Sequence, residues 1–373
     1  MIVNKTGLNK VFKNYINYLI IVAIMLVTIP LYFGGILNDS SFVTPNMLTQ
    51  MAFTIILVMS LNMVVGFLGE LSLGHAGFMY VGAYVGGILC CYLYKSGLVL
   101  QSTHRLIICM LIGGLAAAIF GFIIGLPALR LRGDYLAIVT LAFGEIVRGV
   151  LKNTKIDPAE GPLAGLIKNP ATGFSLNSSK GKFDGDLFIF AFIVAIVVLF
   201  CIQNLMNSKH GRAIQAIKDN EIAARTMGVN ITYYKLITFT IAAFFAGVAG
   251  ALFANYSVVS YAQFSYNYSI EILVMVVLGG MGSLTGSIIS SVLLVFINTK
   301  LQAVLTGDLA SLKYLVYALI LIFMMILHSA PKLAGLREKL NWGYVSGKIK
   351  GIFGKKTKNV SIVETEVPSN EEN

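Results

Sequence analysis

Apolar runs of about twenty residues recur along most of this chain, and each is long enough to cross the ~30 Å hydrocarbon layer as a helix. Inside lipid every backbone amide must find its partner within the protein, so runs of this length select helices. The runs are Tyr18–Leu37, Met47–Leu68, Leu71–Tyr94, Leu106–Leu126, Tyr135–Leu151, Leu187–Leu205, Leu236–Tyr256 and Leu309–Leu327. A ninth region, Ile270–Thr299, is interrupted by "GGMGSLTG". Only 12% of the 373 residues are charged, against roughly a quarter in a soluble domain. The expected class is an all-α, polytopic integral membrane protein with about 8 transmembrane helices plus a re-entrant or broken helix pair.

The net charge of +11 does not form a nucleic-acid face, because the basic residues fall between the apolar runs and set orientation. Lys5, Lys10 and Lys13 place the N-terminal segment 1–17 in the cytoplasm, and the run after them reads as a retained signal-anchor helix. A permease domain over 18–328 follows. Alternation puts Arg130 and Arg132 inside, then the basic loop 206–235, then the tail 329–373, whose end is polar and expected to be disordered. Loop 152–186 falls outside. Within the broken region, Ile270–Leu278 and Ser287–Thr299 are both shorter than the roughly seventeen residues a spanning helix needs. Two short arms dipping in from outside and turning at the glycines are therefore expected.

Several chemistries are absent from the sequence. It has no GxxxxGK[ST] phosphate loop, no HExxH and no histidine pair at metal-ligand spacing, so no catalytic residue, metal or cofactor is expected. The four cysteines all lie in apolar runs and read as packing residues. A chain that cannot hydrolyse ATP takes its energy for transport from an ion gradient or from another chain.

The segment Arg212–Gly228, "RAIQAIKDNEIAARTMG", reads as one short amphipathic helix ending at Gly228. Ile214, Ile217, Ile222 and Met227 supply its apolar contacts. Spacing alone leaves two roles open: a helix lying among lipid headgroups, or a docking helix for a partner.

Here "EIAARTMG", followed by "YYKLITFTIAAFFAGVAGALFA", resembles the cytoplasmic coupling segment of bacterial ABC-importer permeases. With "SLNMVVGFLGELSLGHAGFMYVGAY", "LPALRLRGDYLAIVTLAFGEIVRGVLKN" and "EILVMVVLGGMGSLTGSIIS" in order, the chain resembles branched-chain amino acid permease subunits of the LivM type. The match runs over most of Ser60–Ser291; one outer segment departs from the family, reading "AEGPLAGL" at Ala159–Leu166. The resemblance implies a non-enzymatic import subunit for branched-chain or related hydrophobic amino acids in the bacterial cytoplasmic membrane. Implied partners are two cytoplasmic ATPase subunits, a second homologous permease, an extracellular substrate-binding protein, the amino-acid substrate and membrane lipid, with no nucleic acid. Alternatives are a permease for urea or short amides, or an ion-gradient-driven transporter or channel.

By the same resemblance Glu221, Ala223, Ala224, Arg225 and Gly228 form the coupling helix. Gly82 with Gly86, and Gly121 with Gly125, give GxxxG faces on which helices can approach closely. Glu70, Ser72 and His75 either cap a helix beginning at Leu71 or line the path. Glu145 and Arg148, three apart, either pair with each other or meet a zwitterionic substrate. Gly279, Gly280, Gly282 and Ser283 are expected at a turn exposed to the path, and Glu271 at the start of its helix.

Overall fold

A computed structural model describes residues 17–26, 28–30, 44–96, 102–128, 134–153, 187–304, 318, 319 and 322. The N-terminal segment, most of the loop 152–186 with its "AEGPLAGL", Arg130 and Arg132, and the tail 329–373 lie outside the described residues, as does most of the span expected at Leu309–Leu327. Ala318, Leu319 and Ile322 belong to a second compact unit, and everything below concerns the first.

The helices are α1 (Asn17–Pro30), α2 (Pro45–Asn62), α3 (His75–Lys95), α4 (Ser102–Ala128), α5 (Asp134–Asn153), α6 (Leu187–Asn207), α7 (Lys209–Asp219), α8 (Glu221–Thr226), α9 (Ile231–Tyr256), α10 (Tyr266–Gly279) and α11 (Leu284–Val304). Among the described residues six helices are long and apolar enough to cross a membrane: α2 with its extension to Leu68, α3, α4, α6, α9 and α11. The chain is an all-α, multi-pass membrane protein. The expected span at Tyr135–Leu151 is helical as α5, but α5 is not among the six, for Glu145, Arg148 and Lys152 interrupt its apolar character.

Helix α2 is the axis, with 94% of its apolar window buried. Beside it α3, α4 and α9 pack through small residues. A Cβ on Gly82 would lie 2.3 Å from the backbone of Gly247, one on Gly250 2.0 Å from the Met79 carbonyl, and one on Gly113 2.8 Å from the Gly82 carbonyl. Lipid tails give helices no hydrophobic reason to associate, so close backbone approach supplies the attraction. Helix α4 turns Leu111, Leu115, Ile119 and Ile123 outward, a stripe at helical spacing suited to lipid. Cys90, Cys91 and Cys109 are buried, and Cys201 is exposed.

Two spans depart from regular helix. After Asn62 the chain forms one π-helical stretch, Met63–Leu68, and stops at Gly69, whose φ of 84° is one that L side chains rarely adopt. Gly69 to Gly74 is non-helical, so α3 begins at His75 and not at Leu71 as the apolar run suggested. Since Gly82 faces Gly247 and Gly86 faces Ala251, α3 runs parallel to α9. His75 is then level with Thr240, about 14 Å along α9 from its start at 1.5 Å per residue.

The expected broken pair is present, with one correction. Helix α10 has 14 residues, but α11 has 21 and is long and apolar enough to span. The second arm is longer than expected at both ends: Ser283 caps it, its Oγ accepting from Gly286 N–H at 3.2 Å, so Leu284 to Gly286 join the helix, and its far end runs on to Val304. The arms run antiparallel: a Cβ on Gly286 would strike the Gly279 carbonyl, and Ser290 Oγ donates to the Met275 carbonyl at 2.6 Å. Glu271 sits in the second turn of α10, where its carboxylate accepts from Asn298 at 3.0 Å, and not at the helix start.

Candidate functional site

The expected single helix over Arg212–Gly228 is two. Asn220 adopts φ −159° and ψ 107°, ending α7, and its side chain accepts from Ala223 N–H at 3.0 Å, starting α8. An Asn that caps its own successor competes with helix continuation, which is the physical reason for the break. Ile214 and Ile217 are buried on α7, as expected, but Ile222 and Met227 are 78% and 84% exposed. Gly228 has φ 82°, its N–H meets the Arg225 carbonyl, and Val229 N–H meets that of Ala224, the Schellman closure expected of a glycine at this place. Ala224 is buried and Ala223 exposed. Glu221 bonds Arg225 at 3.4 Å and Lys235 of α9 at 3.2 Å.

Lys235 also bonds Glu70, with side-chain exposures of 7% and 14%. Among the described residues Glu70 caps no helix and pairs instead with a lysine at the base of α9. Close by, Lys218 of α7 donates to the Gly66 carbonyl in the π-helical stretch, and its alkyl chain lies against Gly69. The turn Gly280–Ser283 stands at this same end. Gly282 N–H donates to Asn62 Oδ1 at 2.9 Å, while Asn62 Nδ2 donates to the Ser283 carbonyl and to Ser287 Oγ. Gly280 and Gly282 have φ of 89° and 84°. Asn62→Ala removes three hydrogen bonds, two joining α2 to the turn and one to Ser287 of α11, and should cost about 3 kcal/mol at ~1 kcal/mol each. A thermal-unfolding series in detergent checks this, with a clear drop in midpoint expected.

Deeper in the bundle a second group forms. His75 is buried at the start of α3, its Nε2 2.7 Å from Ser60 Oγ of α2. Ala76 N–H donates to Ser269 Oγ of α10 at 3.1 Å, and Leu73 N–H to Thr140 Oγ1 of α5 at 3.1 Å. Helix α10 starts at the same place: Tyr266 N–H donates to Glu145 Oε1 at 3.3 Å. Glu145 also pairs with Arg148 at 3.1 Å, both about one-third exposed. A small recess is left between the two helix starts, lined by Leu73, Gly77, Gly144, Glu145, Tyr266 and Ser269 among others. Ser72 is buried near this segment, and its Oγ has no hydrogen-bond partner among the described residues.

The sequence-derived residues thus fall into two groups. Ser72, His75, Glu145 and Arg148 gather around the helix starts, while Gly279, Gly280, Gly282 and Ser283 lie toward the α7–α8 end. Asn62, Ser60 and Ser269 were not singled out from sequence, and Lys218 and Lys235 were read only as charges of the basic loop. Lys235 carried a signal, being a lone lysine at the head of an apolar run that then needs a partner. Among the described residues no group of three or more His, Cys, Asp or Glu could hold a metal.

Discontinuous helices whose N-termini meet inside a small-residue bundle are the build of a membrane transport protein. The family described as branched-chain amino acid transport system / permease component matches residues 43–325. The high-affinity branched-chain amino acid transport system permease protein LivM of Salmonella typhimurium is 38% identical over 323 residues, 81% of this chain and 72% of that one. Its namesake in Escherichia coli K12 is 41% identical over 68% of this chain and 62% of its own length. A probable LivM of Methanocaldococcus jannaschii is 30% identical over 62% of this chain and 73% of its own. No solved structure matches. The chain belongs to the branched-chain amino acid permease family.

Proposed function

We propose that this chain is one membrane subunit of an ATP-driven importer for branched-chain amino acids in the bacterial cytoplasmic membrane. Two ATPase subunits dock at the α7–α8 end, which faces the cytoplasm with both chain termini. A second permease completes the translocator, and an extracellular binding protein delivers the amino acid. The chain itself hydrolyses nothing. The observation that carries the reading is α8. Two large apolar side chains stand exposed there, Ile222 on the six-residue helix and Met227 at its C-terminal cap, beside Glu221, Arg225 and Thr226. An apolar pair rimmed by charge suits a protein partner.

The path runs past the meeting helix starts. Backbone N–H groups at the start of a helix favour an anionic group, so the substrate carboxylate belongs near His75 and Ser72. Its ammonium belongs toward Glu145, with Arg148 balancing that carboxylate when the site is empty. Gly77 packs against Gly144 in this closed recess, so the small apolar side chain enters only when α3 and α5 part.

Affinity purification through this chain, co-expressed with its permease and ATPase partners, tests the proposal. The ATPases should be retained in detergent, and proteoliposomes should take up leucine, isoleucine or valine only with ATP and binding protein. Uptake driven by an ion gradient without any ATPase would replace this reading with that of a secondary transporter.

A further inference from the structure

The coupling helices are fastened to the broken segment Gly69–Gly74 at two points, and both fasteners are lysines. Lys218 of α7 donates to the carbonyl of Gly66 and packs its stem on Gly69. Lys235, buried at the base of α9, holds Glu221 of α8 with one N–H and Glu70 with another. Glu70 is the residue after the left-handed Gly69, at the point where the chain leaves the α7–α8 end and climbs to His75. We propose that Lys235 is the transmission residue of the importer, converting displacement of α8 into displacement of the Gly69–Gly74 segment and so of the start of α3. This rests on the importer reading above.

First, two carboxylates share one ammonium, so neither can move far without the other. Parting from both would leave a lysine with 7% exposure without a counter-charge, which is strongly disfavoured, so the ammonium follows the carboxylates. Second, the moving part can yield. Helix α2 ends in a π-helical stretch and then non-helical backbone, so Glu70 is not locked into a continuous helix that would resist. Third, the far end of that backbone reaches the site. Leu73 N–H is bonded to Thr140 of α5 and Ala76 N–H to Ser269 of α10, so moving it exchanges contacts with both helices that line the recess. The glutamate of the coupling helix is thus engaged within its own chain, whereas a pure docking role would leave it turned to the partner.

The reconstituted complex in proteoliposomes tests this. Lys235→Met should retain the ATPase subunits on purification yet lose coupling, with amino acid transported per ATP falling about tenfold. Glu70→Gln should match it, and the double variant should be no worse than either single, because both cut one linkage. Lys235→Arg should restore most of the coupling, since a guanidinium can also hold two carboxylates. A merely structural pair would instead lower thermal stability and ATPase retention with the transport-to-ATP ratio unchanged, and that result overturns the proposal. If Lys235→Met does not insert, Glu70→Asp decides, since it keeps the charge but shortens the link. Wild-type coupling there overturns the proposal, and reduced coupling with an unchanged unfolding midpoint supports it. A wild-type complex that never retains ATPases sinks the importer reading itself, an outcome distinct from all of these.

Discussion

Gly250→Val should abolish accumulation of the folded permease, while Gly149→Ala should leave it unchanged. A Cβ at Gly250 would sit 2.0 Å from the Met79 carbonyl and 2.7 Å from the Ala83 amide nitrogen, both backbone atoms of α3. No rotamer relieves a collision between a Cβ and a neighbouring main chain, so α3 and α9 must separate. Their seam also holds α4: Gly247 would meet Ala117 and the Gly113 carbonyl if it carried a Cβ. Prying it open forfeits dispersion contacts along three helices in a solvent that offers no hydrophobic compensation. Overpacking in an ordinary core costs about 1–3 kcal/mol, and a backbone collision stands at or above that upper end. Gly149 on α5 has nothing within 4 Å of its would-be Cβ, which makes it a control for expression and insertion. Size-exclusion profiles of detergent extracts would show it. A monodisperse Gly250→Val peak at the wild-type level would mean that the seam does not hold the bundle together.

The second large effect is expected at the partner surface. The double substitution Ile222→Asp, Met227→Asp should leave insertion and thermal stability near wild type, because both side chains already face solvent at 78% and 84%. Retention of the ATPases should nevertheless collapse. Burying such a side chain on docking is worth about 1.5–3 kcal/mol, so losing two weakens the complex by at least about 100-fold. Titration of purified ATPase onto permease in detergent measures this directly. Wild-type affinity would remove α8 from the docking surface and leave the coupling role to α7.

Both predictions use information of different origin. The small-residue faces were legible in the sequence as Gly82 and Gly86 on α3 and Gly121 on α4, since glycines at i and i+4 on an apolar run have few uses besides close approach. The membrane class was legible too, because a twenty-residue apolar run leaves the backbone no alternative to a helix. The broken region at "GGMGSLTG" announced itself by its glycines, and Gly228 by its place after "EIAART". The family motif put Glu221, Ala223, Ala224, Arg225 and Gly228 in one contiguous stretch, where proximity in sequence guarantees proximity in space.

What the sequence left open were choices settled by partners far along the chain. Whether α3 begins at Leu71 or His75 depends on a Gly69 turn braced by Lys218, 149 positions later. Whether Glu70 caps a helix or binds a cation depends on Lys235, which is separated from it by 165 residues. The start of α11 turned on the Ser283 cap, and its packing on α10 on a glycine–glycine contact, neither of which hydropathy registers. Hydropathy averages over a window and so finds how much apolar surface a segment must bury. A buried charge is decided by one partner at one distance, and only the packed helices bring that partner within reach.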